Sequence, residues 1–548
     1  MLAIYFKQRM KNILIIFLLL SNILVAQKEF KEIVGKEYKV GSRREKKHNQ
    51  FKGAVKYGDF YYVVFTKREL EFNYFFFYAH AHGRERDYVL LKLDLKLNFI
   101  EKKTLKTDFT KKPVDAVQLM VIGKNLCAFY AFNNLKDNKQ YLFARKITPE
   151  KMEYNGKAFK IGEVALKTKK MFQPILFEIR TSPDNSKMIV ATKNAPVKKK
   201  FGRIKPESSE SKSFNYWIYD SDFKTISFNK NFQIAKENTI LQDFFIDNDG
   251  NISALGSKES VLKKQKKSIK GEDELVNTYS LRILKTNGLD ETIKLGDGMA
   301  FFDAKLIYNS KTNKYAFLGL LSERNQGSSG IICQQIDTDN GKLLNEEEFK
   351  FDEDFVKKHE KTRKSKVRGN SKSRNSENKT KKEETSQNSY FTYLRNIGDC
   401  YYNDSGELII TSQKFNTYQV TTTTTNAKGG STTSTVTHYV YGDIFVFKFD
   451  DNFNFVNICV VEHDRDVTNG GNKKVDFMTL YNGNLYLICQ KEYLKVNFNN
   501  EKTKFKPLKN EAIIPKYDNS YNLKFSDNDI FFFNQKGRKL TFARFFLD

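Results

Sequence analysis

The feature that most limits how this chain can fold is a turn that recurs ahead of an apolar strand. It appears as Tyr57-Gly58-Asp59 before FYYVVF and as Gly123-Lys124-Asn125 before LCAFYAF. It returns as Asp184-Asn185-Ser186 before KMIVA and as Asp247-Asn248-Asp249-Gly250-Asn251 before ISALG. Further copies are Asn309 to Asn313 before KYAFLGL, Asn403 to Gly406 before ELIIT, Asn482-Gly483 before NLYLIC and Asp527-Asn528 before DIFFF. Where no insertion intervenes, the copies lie roughly 60 residues apart. Asn, Asp and Gly tolerate tight-turn dihedrals, and the β-branched and aromatic runs after them favour strands.

A second unit of strand, polar turn and strand follows most copies, as in Tyr88-VLLKLDLKLNFIEKKTL, Tyr216-WIYDSDFKTISF and Asp443-IFVFKFDDNFNFVNICVV. In Val89, Leu91 and Leu93 every second residue is apolar, which predicts a half-buried strand with Lys92 and Asp94 facing away. Two consecutive hairpins make a four-stranded antiparallel sheet. Such a sheet cannot bury its faces alone, but sheets stacked in a ring share their cores and leave only short edges. The expectation is an all-β chain, a β-propeller of seven or eight four-stranded blades over 28–548. The last unit, from Tyr521, offers three strands, so residues 28–42 are expected to supply the fourth and close the ring between the N- and C-terminal strands. A transmembrane β-barrel also uses alternating strands, but not in a four-strand rhythm.

Residues 1–27 read as a secretory signal: Lys7, Arg9 and Lys11 precede the apolar run Ile13–Leu20, and the segment ends in Ala26-Gln27. This places the mature chain outside the cytoplasm, periplasmic or associated with the outer membrane, or secreted, touching a membrane only through a partner. Cys127, Cys333, Cys400, Cys459 and Cys489 are far apart and odd in number, so buried free thiols fit better than a disulfide framework, with room for one chance pair. Two insertions break the period. Residues 356–389 carry 12 Lys/Arg against 4 Asp/Glu and read as a disordered basic loop. Residues 418–441 read as a Thr-rich β-hairpin turning at Lys428, Gly429 and Gly430.

The stretch from Tyr439 to Asp451 with the Thr/Gly hairpin before it, the turn Asp247–Asn251 and the leader ending in Ala26-Gln27 resemble secreted propeller-like proteins of the Bacteroidota. That resemblance implies a Gram-negative envelope protein.

No motif names a reaction. The Ser-nucleophile elbow and the phosphate- and dinucleotide-binding glycine patterns are missing, and the residues call for no cofactor. His80 and His82, two apart on a strand, would point the same way and reach one metal, but no third ligand lies nearby. Asp247-x-Asp249-x-Asn251 starts like a calcium loop, but Ile252 and Lys258 stand where that loop needs Gly and Glu, so a tight turn is expected. Acidic residues occur throughout, yet no catalytic pairing is readable. The formal charge of +28 attracts anionic polymers, with Lys361, Arg363, Lys364, Lys366 and Arg368 as candidate contacts. Specific nucleic-acid binding is not expected, because 356–389 has no aromatic residue for base stacking. The leading expectation is a non-enzymatic envelope binding or scaffold protein that presents a propeller face and the hairpin arm to a protein or glycan partner. Thr421, Thr423, Lys428, Gly429, Gly430, Thr433 and Thr435 are its candidate contacts. The alternatives are an extracytoplasmic hydrolase or lyase on polysaccharide or phosphate esters, metal-assisted or not, and an electrostatic binder of anionic envelope polymers.

Overall fold

The computed structural model describes residues 31–36, 38–39, 49–75, 78–106, 114–166, 175–192, 213–235, 239–262, 274–296, 299–309, 311–323, 327–359, 391, 393–403, 405–425, 431–463, 465–468, 477–481, 484–489, 492–496, 498, 506–507, 520–526, 529–536 and 539–546. Residues 1–27, read from the sequence as a secretory signal, lie outside them.

Nearly all described structure is antiparallel strand. β1 and β2 are Lys31–Val34 and Tyr38–Lys39. β3 to β6 are Asn49–Tyr57, Phe60–Phe75, Tyr78–Asp94 and Phe99–Leu105. β7 to β10 are Asp115–Ile122, Asn125–Asn134, Lys139–Thr148 and Glu153–Ala165. β11 to β14 are Phe177–Thr181, Lys187–Thr192, Phe214–Asp220 and Thr225–Phe232. β15 to β18 are Ile240–Ile246, Ile252–Leu262, Glu274–Leu284 and Asp290–Leu295. β19 to β22 are Phe301–Asn309, Lys314–Glu323, Gly327–Asp337 and Lys342–Lys350, followed by the short helix α1, Glu353–His359. β23 to β27 are Leu394–Tyr402, Leu408–Thr425, Ser431–Phe449, Phe455–Val461 and Arg465–Thr468. β28 to β31 are Phe477–Tyr481, Asn484–Cys489, Glu492–Val496 and Lys506–Pro507. β32 to β34 are Ser520–Ser526, Asp529–Lys536 and Lys539–Phe546.

The strands form a β-propeller. Six sheets run as paths of four antiparallel strands, five of them in chain order and the sixth as β32-β33-β34-β1, and β15 to β22 form a seventh, eight-stranded sheet. Within that larger sheet, β17 and β19 meet at one residue pair only, Asn277 with Phe301. The N-terminal strand β1 pairs with β34, from Lys31 opposite Phe546 to Val34 opposite Ala543, so the two ends of the chain complete one sheet.

Successive sheets pack face to face, and alternation along a strand sends side chains into two cores at once. Tyr62 and Val64 of β4 pack with Leu126, Ala128 and Tyr130 of β8. Tyr61, Val63 and Phe65, between and beside them, pack with Phe531, Leu540 and Phe542 of the last sheet. The pattern repeats at β8, where Cys127 and Phe129 turn toward Met188 and Val190 of β12, and at β12, where Ile189 and Ala191 turn toward Phe244 and Ala254. It returns at β20, and at β25, where Phe445 and Phe447 face one way and Ile444 and Val446 the other. This is why the second strands read as continuous apolar runs. The half-buried reading of β5 is corrected by the same packing. Leu90 is as buried as Leu91, and Lys92 is only 8% exposed, its ammonium 4.1 Å from the centre of the Phe60 ring. Tyrosines tie sheet to sheet: the Tyr88 hydroxyl donates to the carbonyls of Gln118 and Phe129 (both 2.7 Å), and that of Tyr219 to Ile161 (2.8 Å). Burial pushes the Tyr219 hydroxyl up to about 12, so it stays a donor.

Three third-to-fourth turns and the first-to-second turn at Asp247 share one construction. Asp94, Asp220, Asp247 and Asp450 each accept, through Oδ1, the N–H groups two and four residues on, at 2.8–2.9 Å. The fourth residue of the turn is left-handed. It is Gly250 at φ 92° in one case, but Leu97, Phe223 and Phe453 at φ 62°, 64° and 65° in the others. A left-handed apolar residue costs about 1–2 kcal/mol. Here Leu97, Phe223 and Phe453 are 1%, 7% and 2% exposed, each plugged into the core shared with the preceding sheet. Burial of such a side chain contributes about 1.5–3 kcal/mol, which offsets the strain. Phe453→Ala is therefore expected to destabilise the chain by about 3–5 kcal/mol in urea titration. Asp450→Ala, which removes only the turn's acceptor, should cost about 1 kcal/mol. Equal losses would show that the plug does not carry the interface.

Candidate functional site

An antiparallel meander sends its connections alternately to two ends. First-to-second and third-to-fourth connections leave from one face of the wheel. Second-to-third connections, and those joining one sheet to the next, leave from the other.

The first face is closed by its own turns. Gly123 N–H donates to the Asn185 carbonyl (2.6 Å), Asn125 Nδ2 to Ser221 (2.9 Å), and the Tyr57 hydroxyl to Lys124 (2.8 Å). Asp184 N–H reaches Asn248 Oδ1 (3.1 Å), Lys285 meets Asp339 (2.6 Å) and Asn345 Nδ2 donates to the Asn452 carbonyl (2.6 Å). The calcium-like segment Asp247–Asn251 belongs here as a turn. Asp247 spends both carboxylate oxygens on it, Oδ2 accepting from Asn251 Nδ2 at 2.6 Å.

The second face carries every long departure from the period. β4 and β5 run on past their neighbours as a two-stranded ribbon, pairing Arg68 with Glu85 out to Phe75 with Tyr78. β16 and β17 pair out to Leu262 with Glu274. β24 and β25 form the longest arm, paired from Leu408 with Phe449 to Thr425 with Ser431 with one register shift between Gln413 and Phe415. Both insertions expected from the sequence leave from this face. The boundary of the basic one moves, because 356–359 belong to α1. Asp352 caps that helix through the Phe355 N–H (2.7 Å), and Val356 is buried against Phe391 and Phe445.

The Thr-rich arm is a solvent-exposed ribbon on a buried root. Thr421 and Thr435 meet Oγ1 to Oγ1 at 3.2 Å, and Thr423 and Thr433 at 3.3 Å, all four exposed. At the root, Lys414 is buried with its ammonium 4.8 Å from the Phe391 ring and 3.8 Å from Asp443, and it donates to the His359 carbonyl of α1. β27 adds a third strand to the outer edge of β25, placing Asp466 Oδ1 3.0 Å from His438 Nδ1.

Along the axis, where the first strands of successive sheets neighbour one another, sits a charged group that sequence reasoning missed. Arg180 of β11 holds Glu178 at 2.9 Å and Asp243 of β15 at 2.7 Å. Asp303 of β19 accepts the Ile397 N–H of β23 at 2.8 Å, and Lys305 donates to the Gly398 carbonyl. Asp243 and Asp303 each follow a bulge at the start of their strand, and each also accepts the next residue's N–H. They are one repeat position, separated in sequence by a whole unit. Burial pushes the Asp243 carboxyl above its ordinary value, and Arg180 pulls it back. The group ties the inner strand edges together; it is an ion-pair and capping set.

Of the sequence candidates, the structure brings the arm threonines together and leaves most of the others outside what it describes. His80 and His82 lie on β5 opposite Asn73 and Glu71, with their side chains outside the described residues. Among the described residues no three His, Cys, Asp or Glu side chains are grouped to hold a metal. Lys428, Gly429, Gly430 and Lys361, Arg363, Lys364, Lys366 and Arg368 are outside the described residues too. Cys127, Cys333, Cys400 and Cys459 are free thiols; burial pushes Cys127 and Cys400 up to about 12 and Cys333 well up.

No family model and no curated protein matches this chain. Among solved structures, the β-propeller domain of the trilobed protease from Pyrococcus furiosus aligns at 9% identity over 76% of this chain and 93% of that one, with a TM-score of 0.31. Prolyl oligopeptidase B from Galerina marginata aligns at 8% identity over 90% of this chain and 56% of its own, TM-score 0.38. The Dos1 propeller aligns at 12% identity over 55% and 60%, TM-score 0.30. The chain thus spans less than two thirds of the last two. The class defined by the sheet order and the packing is a β-propeller with arms on one face.

Asp243 supplies a pH test. A carboxyl raised in the fold binds its proton more tightly there than in the unfolded chain. It therefore favours the fold as pH falls toward the unfolded value and disfavours it as pH rises through the folded one. Arg180→Met removes the cation that offsets this. It should cost about 1–2 kcal/mol at pH 7 and less at pH 4, by urea denaturation. An equal loss at both pH values would mean that Arg180 does not act through Asp243.

Proposed function

We propose that the chain is a non-enzymatic binding or scaffold protein of the cell envelope, and that the arm-bearing face receives its partner, a protein or a glycan. The observation that carries this reading is the asymmetry between the faces: one is stitched shut by short turns, while the other bears the ribbons and the insertions. We further propose that the wheel has eight blades. The support is the single residue pair joining β17 to β19, which splits the eight-stranded sheet into two four-stranded units packed face to face through Leu281, Phe317 and Ile332. The basic leader 1–27 supports export.

A second reading draws on charge. The segments 193–212 and 360–390, which join strands on the arm face, carry seven Lys/Arg against two Glu and ten against four. They suit an anionic envelope polymer as an added contact. Such binding weakens steeply with salt, whereas a contact with the uncharged arm does not.

Replacing the exposed part of the arm, 419–437, by a two-residue Asn-Gly turn, which spares β27's partners His438 to Tyr441, should leave the circular dichroism spectrum and melting temperature near those of the intact chain. It should also abolish capture of the partner from envelope extracts in 0.3 M salt. Loss of folding would make the arm part of the core, and unchanged capture would move the site elsewhere; either result ends this proposal.

A further inference from the structure

The arm of β24 and β25 lacks the usual protection of an exposed strand. From Phe415 to Gly442 the only Asp, Glu, Lys or Arg is Lys428, in a chain with 29% charged residues. The outer edge of β24 is covered by β23 as far as Lys414, and Phe415 N–H donates to the Tyr393 carbonyl. Beyond that, from Asn416 to Thr425, no strand other than β25 pairs with it among the described residues. Ten residues of strand span about 33 Å. There is no Pro and, past Phe415, no register shift along it. Charges, prolines and bulges are what ordinarily keep such an edge from pairing with another chain. The opposite edge shows that the ribbon accepts an added strand: β27 pairs antiparallel with β25 from Tyr441 to His438.

We infer that the free β24 edge pairs antiparallel with the same edge of a second copy of this chain about a two-fold axis. This extends the reading of the arm as a binding element. Three observations select a second copy over a foreign strand. Thr421 to Thr425 are five identical residues, so the segment is its own reverse, and a two-fold through Thr423 sets Thr422 opposite Thr424 of the partner copy. The Thr–Thr cross-strand pairing this makes is the kind already present within the arm. From Asn416 to Thr425 the edge carries no charged residue to select another sequence. The like charge of the two bodies does not forbid the pairing, because the arms hold them apart by several times the roughly 8 Å screening length at physiological salt.

The test is the mass of the full chain in solution by sedimentation, at protein concentrations up to roughly 100 µM. The intact chain should approach twice the monomer mass as concentration rises, nearly independently of salt. Thr422→Lys with Thr424→Lys places like charges directly opposite one another in the dimer and should hold the chain as a monomer with an unchanged melting temperature. Mixing that variant with the Thr422→Glu, Thr424→Glu variant should restore a mixed dimer. A wild-type chain that stays monomeric, or a dimer indifferent to the Lys variant, overturns the inference. A monomer that still captures an envelope partner would sink the dimer alone and leave the binding function standing.

Discussion

Everything in this molecule depends on burying both faces of thin sheets. A four-stranded sheet exposed on either side would leave rows of Val, Leu, Phe and Tyr in water. Here each second strand feeds two cores, even-numbered residues to one neighbour and odd-numbered residues to the other in β4. Among the described residues six of the seven buried clusters draw on two sheets and the seventh lies within the eight-stranded sheet, and the β1–β34 pairing joins the start and end of the described chain in one sheet. Stability is shared between neighbours, so a defect in one interface is felt by two sheets.

The same constraint explains the plugs. In three third-to-fourth turns Leu97, Phe223 and Phe453 are buried between sheets from left-handed positions, whereas glycine holds the left-handed position in the turns at Gly288 and Gly341. Asp at the first position makes this tolerable by accepting two turn N–H groups. Local strain is accepted because it completes the packing between sheets.

The two faces of the wheel are a consequence of strand count. With four strands per unit, every connection of one kind emerges on one side. Tight turns collect there, close enough to exchange hydrogen bonds between neighbours, as Gly123 does with Asn185. Insertions are tolerated on the other side, where they interrupt no such ring. The strands that bracket 193–212 and those that carry the Thr arm therefore end on one face, although more than 200 residues separate 193–212 from 418–441 in sequence.

The sequence by itself determined the all-β propeller, the turn positions, the Thr hairpin and the absence of a recognisable catalytic motif, because turn chemistry and strand alternation are local and repeat along the chain. It misjudged Lys92, whose alternation with leucines looks solvent-facing, because burial of a strand's second face depends on the neighbouring sheet. It also missed the axial set of Glu178, Arg180, Asp243, Asp303 and Lys305. These residues are scattered over three strands and meet only because the first strands of successive units stand side by side around one axis. Which ends of the strands face the same way was decided by tertiary structure, since closing the ring is what turns positions a unit apart in sequence into neighbours in space.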